Sequence, residues 1–488
     1  MLSTGTQLRS SAPKTLQDIY TGIDVWGRGS HGGGGFGSYR ALEHIDPVLL
    51  GLSVALFGPG WTWEKMQEQD KQDFSWTKWW ETERRLWIGP SVANENVTVP
   101  PMMKRHEGEP DCPHGPFRPI SDFFTTHPPP DPALIPFCTS FSPGIGFAWF
   151  VNGMAVMPRT ESGWADIDKQ GALGDKLWPR PEVQWEGRDG ITESVPDASS
   201  ALYFDDAWLG GNSLRVTFNA KGSEAEDAFF RCVWLPIQSL SITLLVRYTA
   251  HIIFKTLTTT EPSVDVDVGF TIKCPGSTLD VSAISATEDL SGGWTRQTLS
   301  FILPENQSDA LVTVGLVLGF AAEAPSKEVQ FSILLGQVAV YQAPPTPRPY
   351  LNLASPRILW ADFKPSEDRK SGLLAWETAA GFPTIPPPAS APTVESPTPL
   401  WTVDTSDHAF PSCAYFNIYA GAALAGPTQA TFIGTTGLDG RPNRFHVDWG
   451  VLPNTIAGLK EIRFYMQGVT NRGEVMEWEL CVFVDASR

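Results

Sequence analysis

The stretch Ile23–Glu43, IDVWGRGSHGGGGFGSYRALE, decides how the amino-terminal part of this chain is read. Gly27-x-Gly29-x-x-Gly32 has the spacing that lets a backbone turn approach a dinucleotide pyrophosphate. That use needs a helix opening at the third glycine and an acid about 20 residues further on, carried by the next strand. Here the consecutive glycines 32–35 delay the helix, and the nearest acids, Glu43 and Asp46, fall inside it or at its end. Arg28 occupies a position where bare backbone would have to meet the pyrophosphate. The residues favour a different use of the run: a wide loop at the carboxyl end of a strand, where barrel enzymes build their sites.

Outward from this loop, DIYTGIDVWG (18–27) and LLGLSVALFG (49–58) are apolar on both alternating faces, as strands covered on both sides are. SYRALEHI between them reads as a short helix, which completes a strand, helix, strand unit. The stretch PGWTWEKMQEQDKQDFSWTKWWETERRLWIGP then carries Trp61, Trp63, Trp76, Trp79, Trp80 and Trp87, at a spacing that predicts a partly amphipathic helix. Residues 91–190 read as loops. From about 190 to 343 the period changes to that of strands: SLRVTF, SLSITLLVRY, HIIFKTL, VDVDVGFTIKC, RQTLSFIL, ALVTVGLVLGF and VQFSILLGQVAVYQ predict an antiparallel sandwich. APPTPRPY (343–350) is a stiff linker. A second all-β set follows, from PRILWADF through YFNIYAG, ATFIGTT, RFHVDWG and EIRFYMQGVT to VMEWELCVFV. The Pro/Ser-rich 381–400 forms a long surface loop inside it. The expected domains are therefore 1–150, 151–345 and 346–488.

Acidic residues outnumber basic ones by 54 to 36, giving a net charge of −18 with no basic block. Polyanions would be repelled, so nucleic acid and membrane surfaces are excluded as expected partners. The polar start MLSTGTQLRSSAPK has no apolar signal core, and no segment reaches transmembrane length. Cysteines 112, 138, 232, 274, 413 and 481 stand far apart without a C-x-x-C pair, which fits a reduced cytosolic protein. The 19 tryptophans suit sugar rings as well as core packing.

IYTGIDVWGRGSHGGGGF and, after the next strand, LFGPGWTWE resemble the closing strands of glycoside hydrolase family 85, the cytosolic endo-β-N-acetylglucosaminidases. The likeness continues through RRLWIGP, LIPFCTSFSPGIG, YFDDAWLGGNSLRV and FYMQGVTNRG. The resemblance implies a multidomain protein of α/β and all-β parts: the carboxyl-terminal part of a (β/α)8 TIM barrel, then two β-sandwiches, one jelly-roll-like and one fibronectin/Ig-like. It also implies cleavage of N-linked oligosaccharides between the two core N-acetylglucosamines, with no cofactor. In that substrate-assisted reaction the acetamido oxygen of the sugar attacks the anomeric carbon. A glutamic acid with a raised pKa protonates the leaving oxygen, and an asparagine two positions before it orients the acetamide. No Asn-x-Glu occurs in these 488 residues, and only two of eight strand–helix units precede the sandwich-like sequence. The chain is thus expected to be the carboxyl-terminal portion of such an enzyme, inactive alone, with an N-linked oligosaccharide or glycoprotein as its partner. The alternative is a non-catalytic, lectin-like carbohydrate-binding β-sandwich protein in which the barrel piece is scaffold.

Asp24, Trp26 and Arg28 are expected at the mouth of the first strand, and Trp61 and Trp63 after the second, as the sugar-binding residues. Trp26 either stacks on a pyranose or packs; Asp24 either bonds a sugar hydroxyl or pairs with Arg28. The tryptophans from 76 to 87 read as core. Asp24 and Glu64 could flank a sugar, but without burial neither acquires the raised pKa of a general acid. His106, Asp111, Cys112 and His114 in RHEGEPDCPH match no structural zinc spacing and read as a solvated loop, so no metal is assigned. Asp205 and Asp206 precede a glycine turn that suits either calcium or a plain strand end.

Overall fold

The computed structural model describes residues 15–69, 75–92, 95–102, 108, 111–125, 127, 129–187, 194–222, 230–257, 266–274, 280–303, 310–321, 328–343, 356–379, 411–437 and 443–487. The chain divides into two compact units, 1–127 and 128–488.

In the first unit β1 (Tyr20–Asp24) and β2 (Ser53–Phe57) pair in parallel, with Tyr20 opposite Ser53 and Asp24 opposite Phe57. Between them lie α1 (Tyr39–Ile45) and α2 (Pro47–Leu50), and β2 is followed by α3 (Trp61–Gln69) and α4 (Trp76–Trp87). Asp46 adopts left-handed backbone (φ 45°) between α1 and α2, and its Oδ1 accepts from Leu49 N at 3.3 Å, capping the second helix. Ser75 caps α4 in the same way, accepting from Lys78 N. Ile23, Val25, Tyr39, Leu42 and Leu86 are almost fully buried in one apolar cluster. The opposite face of the strand pair differs from the expectation of cover on both sides. Tyr20 is 69% exposed and Phe57 65% exposed, because the helices that follow each strand pack on one face only. The single helix expected over 61–87 is two helices, and the residues between them, 70–74, lie outside the described set.

Among the described residues of the second unit every pairing is antiparallel, and the first core lies between two sheets. Strand β3 (Phe137–Thr139) and β4 (Gln184–Trp185) are short additions. The main strands are β5 (Asp197–Tyr203), β6 (Ser213–Ala220), β7 (Phe230–Ile242), β8 (Arg247–Leu257), β9 (Val266–Lys273), β10 (Asp280–Asp289), β11 (Thr295–Ile302), β12 (Ala310–Ala321) and β13 (Val329–Gln342). One sheet runs β10-β11-β8-β13-β6-β5 with β3 added on β13; the other runs β9-β12-β7-β4. Alternate residues of both, among them Phe218, Val233, Ile252, Leu316 and Phe331, fill the space between them. Phe218 and Phe331 stack with ring centres 4.8 Å apart. Val338 pairs with Thr139, so the segment Phe137–Thr139 packs with this unit.

A smaller pair of sheets follows within the same unit. Strands β14 (Arg357–Pro365), β15 (Ser371–Ala379) and β18 (Arg444–Asp448) form one sheet in the order β14-β15-β18; β16 (Cys413–Ala422), β17 (Thr431–Thr435), β19 (Glu461–Thr470) and β20 (Val482–Ser487) form the other in the order β17-β16-β19-β20. Leu374, Trp376, Ile418, Phe464 and Met466 make its core. The Pro/Ser-rich 381–400 lies outside the described residues.

Candidate functional site

The glycine-rich loop leaves β1 at Asp24 and folds back on it. Gly27 N donates to Asp24 O and Gly35 N to Val25 O, at 2.9 and 2.6 Å. Gly37 N and Ser38 N donate to Gly34 O and Gly35 O. Those four N–H groups are spent on the loop itself rather than offered to a phosphate. Gly27 needs its positive φ of 79°: a Cβ there would lie 2.4 Å from Gly33 O.

Asp24 is committed locally. Its Oδ2 accepts from Arg28 Nε at 2.8 Å, its Oδ1 accepts from Trp26 N at 3.0 Å, and its own N donates to Ser30 Oγ at 2.7 Å. The Arg28 guanidinium holds the Asp24 carboxyl below its ordinary range, and the carboxylate in turn raises Arg28. Arg28 also lies over the Phe57 ring, 5.5 Å from its centre.

An open cleft of about 710 Å³ lies beside the loop. Trp26, Gly33 to Gly35 and Phe36 form one wall, Trp61, Thr62 and Lys65 of α3 another, and Pro100 and Pro101 close a third. Trp61 is 8% exposed, its ring edge-on to Phe36, and Lys65 Nζ stands 5.0 Å from the indole centre. Of the five residues expected to bind sugar, the cleft is lined by Trp26 and Trp61. Trp63 instead meets Trp76 and Trp79 at ring-centre distances of 5.0 and 5.5 Å, between α3 and α4. Asp24 and Arg28 pair with each other at the loop's base.

Sequence reasoning missed Glu83. Thr62 Oγ1, whose residue lines the cleft, donates to Glu83 Oε2, and Trp87 Nε1 donates to Glu83 Oε1 at 2.7 Å. Burial pushes the Glu83 carboxyl up, against the lowering effect of those two bonds. Within WETERR it reads as one more solvated charge. The available signal was its place four residues from both Trp79 and Trp87, on the apolar face of α4.

The loop carrying Cys112 and His114 is not simply solvated. The His114 side chain is 6% exposed; its Nδ1 pairs with Glu43 Oε2 at 2.6 Å and its Nε2 lies 2.8 Å from His31 Nε2. His106 lies outside the described residues. In the second unit Asp206 accepts from Lys255 Nζ at 2.6 Å and Asp205 pairs with Arg159, so both carboxylates are matched by cations. Among the described residues, no helix is long and apolar enough to cross a membrane.

Residues 2–149 match the glycosyl hydrolase family 85 model. More particularly, the chain is similar to the cytosolic endo-beta-N-acetylglucosaminidase of Gallus gallus, 25% identical over 242 residues, or 49% of this chain and 24% of that protein. It is also similar to the enzyme of that name from Homo sapiens, 44% identical over 73 residues, or 14% of this chain and 10% of that one. The chain thus spans about a quarter or less of these relatives' lengths. The crystal structure of the Endo-D glycoside hydrolase domain from Streptococcus pneumoniae aligns with a TM-score of 0.49 at 13% identity, covering 100% of this chain and 60% of that one.

Proposed function

We propose that the unit 1–127 is the last strand–helix part of an endo-β-N-acetylglucosaminidase TIM barrel, and that its cleft holds a sugar of an N-linked glycan. On this reading the two sandwiches are accessory domains, one jelly-roll-like and one fibronectin/Ig-like, and the protein works in the cytosol on N-linked oligosaccharides or glycoproteins. The observation that carries the reading is the cleft itself: Trp26 lines it from the loop after β1 and Trp61 from the start of the helix after β2, the two strands being parallel neighbours inside the family-matching segment. Indole faces take the apolar face of a pyranose, while Thr62, Thr82 and Lys65 supply polar groups around it. Trp26, Trp61 and Lys65 touch the sugar. Asp24 and Arg28 hold the loop that carries Trp26, and Trp63 packs the helix that carries Trp61. The chain has no Asn-x-Glu, so it binds without cleaving.

The test is a titration of the full chain with a glycopeptide bearing the N,N′-diacetylchitobiose core, read by saturation-transfer NMR. Transfer to the sugar protons is expected in the parent and lost in Trp26→Ala. Absence of transfer in the folded parent would overturn the proposal. A Trp26→Ala chain that binds as the parent does would move the site into 128–488, as the lectin-like alternative requires.

A further inference from the structure

Four side chains that the sugar cleft does not use converge within the first unit. His31 comes from the glycine-rich loop, His44 from the last turn of α1, and Cys112 and His114 from the segment after residue 110. One ligand atom from each lies within 4.8 Å of all the others. His31 Nε2 and His114 Nε2 are 2.8 Å apart, and His44 Nε2 and Cys112 Sγ 3.2 Å apart. The three imidazoles crowd with ring centres 4.6, 5.1 and 5.2 Å apart, mostly edge to face. Behind them Glu43 Oε2 stands 2.6 Å from His114 Nδ1. A carboxylate there accepts the Nδ1–H hydrogen bond and leaves the His114 Nε2 lone pair facing the cluster, the outer-shell partner that metal-bound histidines usually have.

We propose that His31, His44, Cys112 and His114 bind one zinc-class divalent ion in a closed, structural site. Three imidazole nitrogens and a thiolate are the donor set of borderline-soft metals and suit neither calcium nor magnesium, which take oxygen. Tetrahedral bonds to zinc place ligand atoms about 3.3–3.6 Å apart. To reach that spacing the His31–His114 pair at 2.8 Å opens by about half an ångström and the His44–Cys112 pair at 3.2 Å by less, while the wider pairs, up to 4.8 Å, close. The charges also balance, since a dication meets the Cys112 thiolate and the Glu43 carboxylate.

The fold brings the three segments together without the ion. Tyr39 Oη donates to Gly115 O at 2.8 Å, tying the Cys112–His114 segment to α1. Arg40 Nη1 donates to Gly32 O at 3.3 Å and to Pro100 O at 2.8 Å, holding the loop beside His31. His44 is exposed and gives an ion its way in. With four protein ligands the site keeps no open position, so its work is to clamp. It fastens the loop at His31, two residues before the glycines that line the cleft, and binding releases the thiol proton. The ion is held whether or not the cleft takes a sugar.

The test uses the full chain, dialysed against chelator and titrated with cobalt(II). The expected result is one cobalt per chain, with the intense visible absorption of a tetrahedral site and an ultraviolet thiolate-to-cobalt charge-transfer band. Zinc should displace the cobalt. Cys112→Ser should lose the charge-transfer band, and Glu43→Gln, which keeps every ligand, should weaken cobalt binding by roughly 10–100-fold. The thermal midpoint of the parent should drop on chelation. A folded parent that takes up no cobalt would overturn the proposal without any variant. So would a weak octahedral spectrum, or a charge-transfer band that survives in Cys112→Ser.

Discussion

Gly35 and Trp61 meet so closely that no side chain fits between them: a Cβ on Gly35 would lie 2.4 Å from Trp61 Cζ2. Gly35 also has a φ of +50°, where other residues are strained. The glycine run therefore lets the loop lie against an indole that forms one wall of the cleft. Gly35→Ala should cost stability by about 1–3 kcal/mol from backbone strain alone, and more where Trp61 cannot move aside. Chemical denaturation measures the loss. A variant as stable as the parent would show that the loop and Trp61 are not packed in this way.

Trp26 and Trp63 should separate binding from stability. Trp26 lines the cleft, whereas Trp63 sits among Trp76 and Trp79. Trp26→Ala should weaken glycan binding with little change in melting temperature. Trp63→Ala should lower stability, by less than the roughly 3–5 kcal/mol of a fully buried tryptophan, and keep glycan binding in the folded fraction. Glycan titration and thermal melts of both variants check the split; the reverse pattern would exchange the two roles.

Glu83 carries a pH signature. Burial raises its carboxyl above the ordinary 4.5, so the folded chain binds a proton that the unfolded chain has released. Stability from this group is therefore greatest below 4.5 and falls as pH rises toward the folded value. Glu83→Gln should remove that decline. At low pH, where the protonated carboxyl offers one carbonyl oxygen to Thr62 and Trp87 just as the amide does, the variant should match the parent to within about 1 kcal/mol. Denaturation curves of both chains at pH 4 and pH 7 test this, and parallel pH profiles would refute it.

His251 acts in the opposite sense. It is buried between the two sandwiches, where Gln337 Nε2 lies 2.9 Å from its Nε2 and also donates to Arg472 O at 3.0 Å. Burial, with Arg296 and Arg472 nearby, lowers its pKa from 6.5 to about 3. The unfolded chain takes up a proton near 6.5 that the folded chain refuses, so stability is complete above 6.5 and is lost as pH falls toward 3. Between pH 7.5 and pH 5 this single group should cost about 2 kcal/mol. His251→Gln should flatten that part of the curve; an unchanged slope would assign the acid sensitivity to other groups.

How far the sequence could be read depended on where each residue's partners lie along it. Strands such as β6 announce themselves because alternate residues Leu214, Val216 and Phe218 face one core, whereas β5 and β10 were not read as strands and SLSITLLVRY spans the end of β7, a turn and the start of β8. β15 was missed although Leu374 and Trp376 alternate inward, because its partner β14 reads as a complete strand alone. The Trp26–Trp61 wall was legible from strand-end positions, which the parallel pairing of β1 and β2 brings to one side. The histidine–cysteine cluster was not, because His31 and His44 lie 83 and 68 residues from the partners they meet. No local spacing encodes that meeting. Glu83 was hidden for a related reason: its neighbours mark α4 as amphipathic, but only the packing of α3 against it shows that Thr62 reaches the carboxyl.

The chemistry itself yields the last prediction. The substrate-assisted cleavage that the family resemblance implies needs a protonated carboxyl at the leaving oxygen and, two positions before it, an asparagine that orients the acetamide. No Asn-x-Glu is present in the sequence. Among the described residues near the cleft, Glu83 is the carboxyl that burial raises, but it is turned into bonds with Thr62 and Trp87 rather than toward the cleft lining. Asp24 is lowered by Arg28 and stays ionised, so it cannot give a proton near neutral pH. Losing a positioned general acid alone removes roughly 10²–10⁴ of rate, and the acetamide's orientation goes with it. The purified chain, incubated with a fluorescently labelled glycopeptide, should therefore release no glycan ending in a single N-acetylglucosamine. If release is seen, Glu83→Gln becomes the decisive variant: loss of release would make Glu83 the acid, by a movement of Thr62 that frees its carboxyl.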